Sequence, residues 1–229
     1  MVMERISKII EEAYFLPKEF SSLECGANNI DDIQTIDWIT NKNCWLMEPI
    51  PKFAKEIKDN LTKNLVESAL STFNGKSKFY IFEQVHGWSC LSDLELNSDQ
   101  KFFSDSKKEI EVECITYDAL QDNLGINFDV LILDIEGYED NILKYMNKIS
   151  KKYFPKIFCI ECGYQWEDRK KLIKNLGYNL DFYYYNNAFF RLEQCNIEMN
   201  EKKVFEFNNL YKEWSFNGQL IYVNEKVNQ

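Results

Sequence analysis

The tetrapeptide Asp134-Ile135-Glu136-Gly137 sets two carboxylates directly behind the apolar run Val130-Leu131-Ile132-Leu133. A short continuous apolar run reads as a parallel strand buried on both faces, and open α/β sheets bind ligands at the carboxyl ends of such strands. The pattern predicts acids delivered to a ligand-binding edge. The run from Ile157 repeats it and carries Glu161 to a neighbouring tip.

These acids have several uses open to them. Asp134, Glu136 and Glu161 could take a proton, accept hydrogen bonds from hydroxyls, or hold Mg²⁺ through oxygen ligands. Asp134 and Glu136 could equally cap the helix expected from Glu139. His86 is the only histidine of the chain, and an ordinary pKa near 6.5 suits proton removal at neutral pH. A loop histidine without a role is the plainer reading. Trp88 and Tyr138 flank the tips and could stack on a sugar or nucleotide, or simply pack beneath loops.

A second group of residues lies earlier. Leu23-Glu24-Cys25 runs into Gly26-Ala27-Asn28-Asn29, where a glycine lets backbone approach a ligand and Asn28 tolerates a left-handed turn. Glu48 closes the next apolar run, at roughly the spacing from which an acid accepts ribose hydroxyls in sheets of this type. A nucleoside ligand is implied. The turn is not G-x-G-x-x-G, whose later glycines let a pyrophosphate settle on a helix. A ligand without phosphates therefore fits better than NAD, and S-adenosylmethionine is the common candidate.

Strand-like and helix-like segments alternate around these motifs, which predicts a mostly parallel sheet. Residues 3–15 read as an amphipathic helix closed by Pro17, residues after Asn28 as a helical stretch, and 51–61, 139–151 and 167–176 as helices. Strands are expected at 22–25, 44–48, 65–70, 130–133 and 157–161. Residues 78–117 break the rhythm and read as strands and a loop laid over the active edge. Tyr178 to Tyr185 and Ala188 to Leu192 flank Asn186-Asn187, a pair suited to a tight hairpin turn. Residues 196–229 are polar, with Leu220 to Val223 as a final strand. The whole reads as one domain of 229 residues.

Composition narrows the partners. Lys and Arg total 27 against 37 Asp and Glu, a net charge of −10, which opposes nucleic acid and anionic membranes. No run approaches the ~18 apolar residues of a membrane span, and the N-terminus lacks a secretion-signal layout. A cytoplasmic protein with a small-molecule substrate is expected, and a homo-oligomer is left open. The one C-x-x-C, Cys159 to Cys162, has no second pair, so reduced thiols and no structural metal are expected.

Taken in order, these residues resemble the FkbM-type S-adenosylmethionine-dependent methyltransferases. The resemblance rests on Leu23 to Asn29, Met47-Glu48-Pro49, Ser68-Ala69-Leu70-Ser71 with Gly75, Ile115 to Leu120, Asp129 to Glu139, Ile160-Glu161 and Asn187 to Phe190. It covers residues 20–193 and departs at Ile30, where the family often has glycine. It implies a Rossmann-like class I methyltransferase fold, with a mostly parallel seven-stranded sheet, an antiparallel C-terminal hairpin and helices on both faces.

By the same resemblance, Glu24, Gly26 and Asn28 would hold the methionine part of the donor, Glu48 the ribose, and Ser68-Ala69 the adenine edge, with Ala27 and Pro49 also expected to touch the donor. Asp134 would face the donor, with Glu136, Glu161 and His86 toward the acceptor. Trp88, Tyr138 and Asp32 would touch substrate, although Asp31-Asp32 could instead cap a helix. The implied reaction is methyl transfer to a hydroxyl of a sugar or nucleotide-activated sugar in surface-glycan or secondary-metabolite synthesis. Transfer to nitrogen or to a non-sugar small molecule, a non-catalytic nucleoside binder and a nicotinamide dehydrogenase are the rivals.

Overall fold

Short apolar runs form the centre of a seven-stranded sheet in the computed structural model, which describes residues 4–82, 88–91, 107–162 and 166–210. Strands β1 (Ser22–Cys25) and β8 (Val130–Leu133) are buried along their whole length, as is β9 (Ile157–Glu161) up to its last residue. With β2 (Cys44–Met47) and β3 (Leu65–Val66) they run parallel. The hairpin β10 (Tyr178–Tyr184) and β11 (Asn187–Leu192) completes the sheet, with β11 antiparallel to both β9 and β10. The order across the sheet is β10-β11-β9-β8-β1-β2-β3.

Alternate residues of the central strands feed two cores, as the two-residue strand period requires. Leu131 and Leu133 meet α3 (Tyr117–Leu124), α4 (Glu139–Met146) and α5 (Trp166–Asn175) through Leu120, Ile142 and Ile173. Val130 and Ile132 share the opposite core with Ile9 and Ile10 of α1 (Ile6–Ala13) and Phe207 of α6 (Glu201–Leu210). Helix α2 (Pro51–Asn60) packs Phe53 into the first core and Ile57 against Leu46.

Four expectations need correction or refinement. The stretch after Asn28 is two 3₁₀ turns, Ile30–Asp32 and Ile36–Trp38, because the Glu24 carboxylate takes the Gln34 and Thr35 amides and interrupts any continuous helix. Residues 65–70 divide between two sheets: β3 stays with β2, while β4 (Ala69–Ser71) pairs with β7 (Lys107–Thr116). That second sheet continues through β5 (Gly75–Phe82) to β6 (Cys90–Leu91). The hairpin turns one residue early, with Tyr185 at φ +52° and Tyr184 paired to Asn187. Within the C-terminal stretch that reads as merely polar, Val204 and Phe207 anchor α6. The strand expected at 220–223 lies outside the described residues.

Candidate active site

The first strand tip is built around a close approach of two backbones. Gly26 has φ +86°, and a Cβ there would lie 1.7 Å from the Asp134 carbonyl oxygen. Its amide and that of Ala27 donate to the Met47 carbonyl at 3.1 and 3.2 Å. The turn is thereby fixed to β8 on one side and to β2 on the other.

Glu48 completes that fixing from β2. Its carboxylate accepts the Asn28 amide at 2.8 Å and the Ile50 amide at 2.7 Å, and only 3 % of the residue is exposed. Asn28, at φ +55°, adopts the left-handed conformation its type tolerates. Glu24, equally buried, accepts the Gln34 amide at 2.8 Å and the Thr35 amide at 2.9 Å, together with the Thr35 hydroxyl. Asp32 accepts the Asn28 side-chain amide at 2.7 Å. Glu24 and Asp32 thus shape the loop that Glu48 ties to the second strand.

These tips border a cavity of about 290 Å³. Glu48, Pro49, Ser68 and Ala69 line it, together with Phe79 and Leu91 of the second sheet and Ser89 just before β6. Asp134, Glu136 and Tyr138 line it as well, as do Glu4, Ile6, Asn186 and Asn187. Glu24, Gly26, Asn28 and Asp32 also contribute to its lining. The structure therefore gathers the expected nucleoside residues and the β8 acids around one space.

Some expected residues lie elsewhere. Ala27 is buried beside Ile33 and Leu46, outside the cavity wall. Glu161 is half-buried, does not line the cavity, and accepts the Asn186 side-chain amide at 2.7 Å. Trp88 is half-buried and does not line the cavity. Tyr138 lines it with a buried ring, its hydroxyl 3.5 Å from that of Thr72. His86 lies outside the described residues. Asn186, Phe79 and Leu91 carried no local signal for such a place; only their spatial neighbours identify them.

Crowded negative charge governs the electrostatics. Burial lifts the carboxyls of Glu24 and Glu48 from the ordinary range to about 7. Glu136 rises to about 10 through burial and the adjacent Asp134 and Glu161. Asp134 opens onto the cavity yet stands deep among protein atoms, and burial, then Glu161, Glu139, Glu24 and Asp32, raise it well above the usual carboxylate range. Among the described residues, no group of three or more His, Cys, Asp or Glu side chains is arranged to hold a metal ion.

A pH dependence follows from these directions. An acid whose pKa is raised on folding holds its proton more tightly than in the unfolded chain. Its stabilising contribution is complete below the unfolded value and is lost as pH rises through the folded one. For Glu24 and Glu48 that window runs from the ordinary glutamate range up to about 7. The ligand-free melting temperature is expected to fall by roughly 5 °C or more between pH 5 and pH 8. Thermal melts across that range check it, and a flat or rising profile would contradict the burial of these acids.

Residues 24–212, well over half of the chain, match the family model described as the methyltransferase FkbM domain. No curated protein matches the sequence. None of the described helices is long and apolar enough to cross a membrane.

Proposed function

This chain belongs to the FkbM methyltransferase family, and on that premise we propose that it transfers a methyl group from S-adenosylmethionine to a hydroxyl of a sugar, in surface-glycan or secondary-metabolite synthesis. The observation that carries the proposal is that the Gly26 turn, Glu48 and Asp134 border one cavity. The strand order, with its antiparallel penultimate position, supports a class I methyltransferase topology.

In this reading Gly26 and Asn28 receive the methionine part, Glu48 the ribose hydroxyls, and Ser68-Ala69, which share the cavity with Phe79 and Leu91, the adenine. Glu48 spends one lone pair of each oxygen on an amide, which leaves others free for ribose. When bound, the donor supplies an electrophilic methyl on a positively charged sulfur. The protein's part is to align the acceptor oxygen and accept its proton, and alignment can contribute ~7–11 kcal/mol in favourable cases.

Charge favours this ligand set. Glu4, Glu24, Asp32, Glu48, Asp134 and Glu136 line the cavity, and no described Lys, Arg or His does. A cationic sulfonium relieves such crowding, whereas a pyrophosphate would add to it. An uncharged sugar thus suits the wall better than a nucleotide-activated one. The Asp134 and Glu136 carboxylates accept no hydrogen bond from any described residue, which leaves them free for acceptor hydroxyls.

Calorimetry of the full chain with S-adenosylmethionine, S-adenosylhomocysteine and NAD tests the donor. Binding of the first two and not the third is expected; binding of NAD alone would overturn the proposal. With an acceptor found by screening sugars, Glu136→Gln separates a base-assisted transfer to oxygen, which it slows once the sulfonium charge has lowered the raised pKa of the Glu136 carboxyl, from transfer to a free amine.

A further inference from the structure

Arg169 is a cation with only 5 % of its surface exposed, a place where charge persists when paired. Its Nε donates to Asp140 Oδ1 at 2.7 Å, and one terminal nitrogen donates to the Glu161 carbonyl at 2.8 Å. The other terminal nitrogen reaches Glu139 Oε2 at 3.3 Å. One guanidinium therefore joins α5, the first turn of α4 and the tip of β9.

Glu139 passes that hold onward. It is 1 % exposed, and its carboxylate accepts the Ile135 amide at 2.9 Å and the Gly137 amide at 3.0 Å. Those two amides flank Glu136, which stands at φ +57°. A side-chain-bearing residue keeps a left-handed backbone only where its surroundings over-determine it. Here the surroundings are Glu139 and, behind it, Arg169.

We propose that Arg169 is a positioning residue of the methyl-transfer site, which acts through Glu139 to clamp the 134–138 turn so that Asp134 and Glu136 face the cavity. Its bond to the Glu161 carbonyl sets the neighbouring strand tip at the same time. The planar fork is needed because three acceptors from three elements must be met together, and a lysine ammonium cannot reproduce that geometry. The charge has a separate effect. Arg169 faces Glu139, Asp140 and Glu161 directly, with Asp134 and Glu136 beyond them, so its removal strengthens the repulsion among all five acids.

Hydrogen exchange of full-length Arg169→Met and Arg169→Lys tests the clamp, and the affinity for S-adenosylmethionine across pH tests the charge. Only the affinity arm rests on the proposed donor. In Arg169→Met, exchange at the Ile135 and Gly137 amides is expected to rise at least about tenfold while Leu23 and Trp45 keep wild-type rates. The pH at which binding is half-maximal is expected to move upward, since acids without their cation lose protons later. Arg169→Lys is expected to keep the wild-type pH profile and still lose protection at those two amides.

Unchanged protection of Ile135 and Gly137, or equal acceleration in every strand, would overturn the proposal. Should Arg169→Met fail to fold, the same two amides in Arg169→Lys decide. Absence of donor binding by the wild type would sink the donor reading, and the exchange result would still decide the clamp.

Discussion

Gly26→Ala is expected to abolish donor binding and to lower the melting temperature by roughly 10 °C. The added Cβ would sit 1.7 Å from the Asp134 carbonyl oxygen and 2.9 Å from its carbon, both backbone atoms that no rotamer change can move. Nor can the strands drift apart, because Cys25 pairs with Leu133 and the Asp134 amide donates to the Cys25 carbonyl. The left-handed conformation alone costs ~1–2 kcal/mol with a side chain, and the overlap adds about 1–3 kcal/mol or more. Gly125→Ala is the control: its φ is +67°, but a Cβ there meets nothing within 4 Å, so only the conformational cost applies. Melting curves and calorimetry on both variants check the difference. A Gly26→Ala protein that melts with the control would show that the two tips are free to separate.

Glu48→Ala is expected to have the second large effect. It leaves the Asn28 and Ile50 amides without their acceptor in a buried position, at ~1–3 kcal/mol for each unsatisfied group. The turn that Gly26 begins then loses its tie to β2, and donor affinity is expected to fall by about a hundredfold or more. Glu48→Gln separates the two contributions, since its single carbonyl can serve one amide while its NH₂ opposes the other. Both variants should also flatten the fall in stability between pH 5 and pH 8, because a group raised to about 7 has been removed. Melts at the two pH values measure this; an undiminished slope would assign the dependence to the other raised acids, Glu24, Asp134 and Glu136.

The outcome of reading the sequence divides along the reach of the interactions. Val130 to Leu133 followed by Asp134 is a local pattern, and both its burial and its place at the cavity edge were legible. The same holds for Ser22 to Cys25 with its glycine turn, and for α4, whose Ile142, Leu143 and Met146 face inward as their spacing predicts. Residues 65–70 were not legible as two strands, because nothing within them says that Leu65 pairs with Leu46 and Ala69 with Cys114. The stretch after Asn28 reads as helical until Glu24 is seen to claim its amides from ten residues away. Arg169 offers the clearest case. In sequence it is one cation on a polar helix, and only the folding of α4 and β9 beside it shows three acceptors around one side chain.

The place of β11 between β9 and β10 has a consequence for the order in which the protein can be made. Among the described residues it is the last strand of the main sheet to leave the ribosome, yet it occupies an interior position. Until residues 187–192 emerge, the outer edge of β9 has no neighbour, and Asn186 cannot reach Glu161. A chain stalled before that point could already pair β1, β2 and β8, and so form the part of the cavity that carries the Gly26 turn, Glu48 and Asp134. It would also present an unpaired strand edge to other nascent chains. The part of the cavity lining that Asn186 and Asn187 supply is therefore completed only once this hairpin has formed, after β1, β2 and β8 can already be in place.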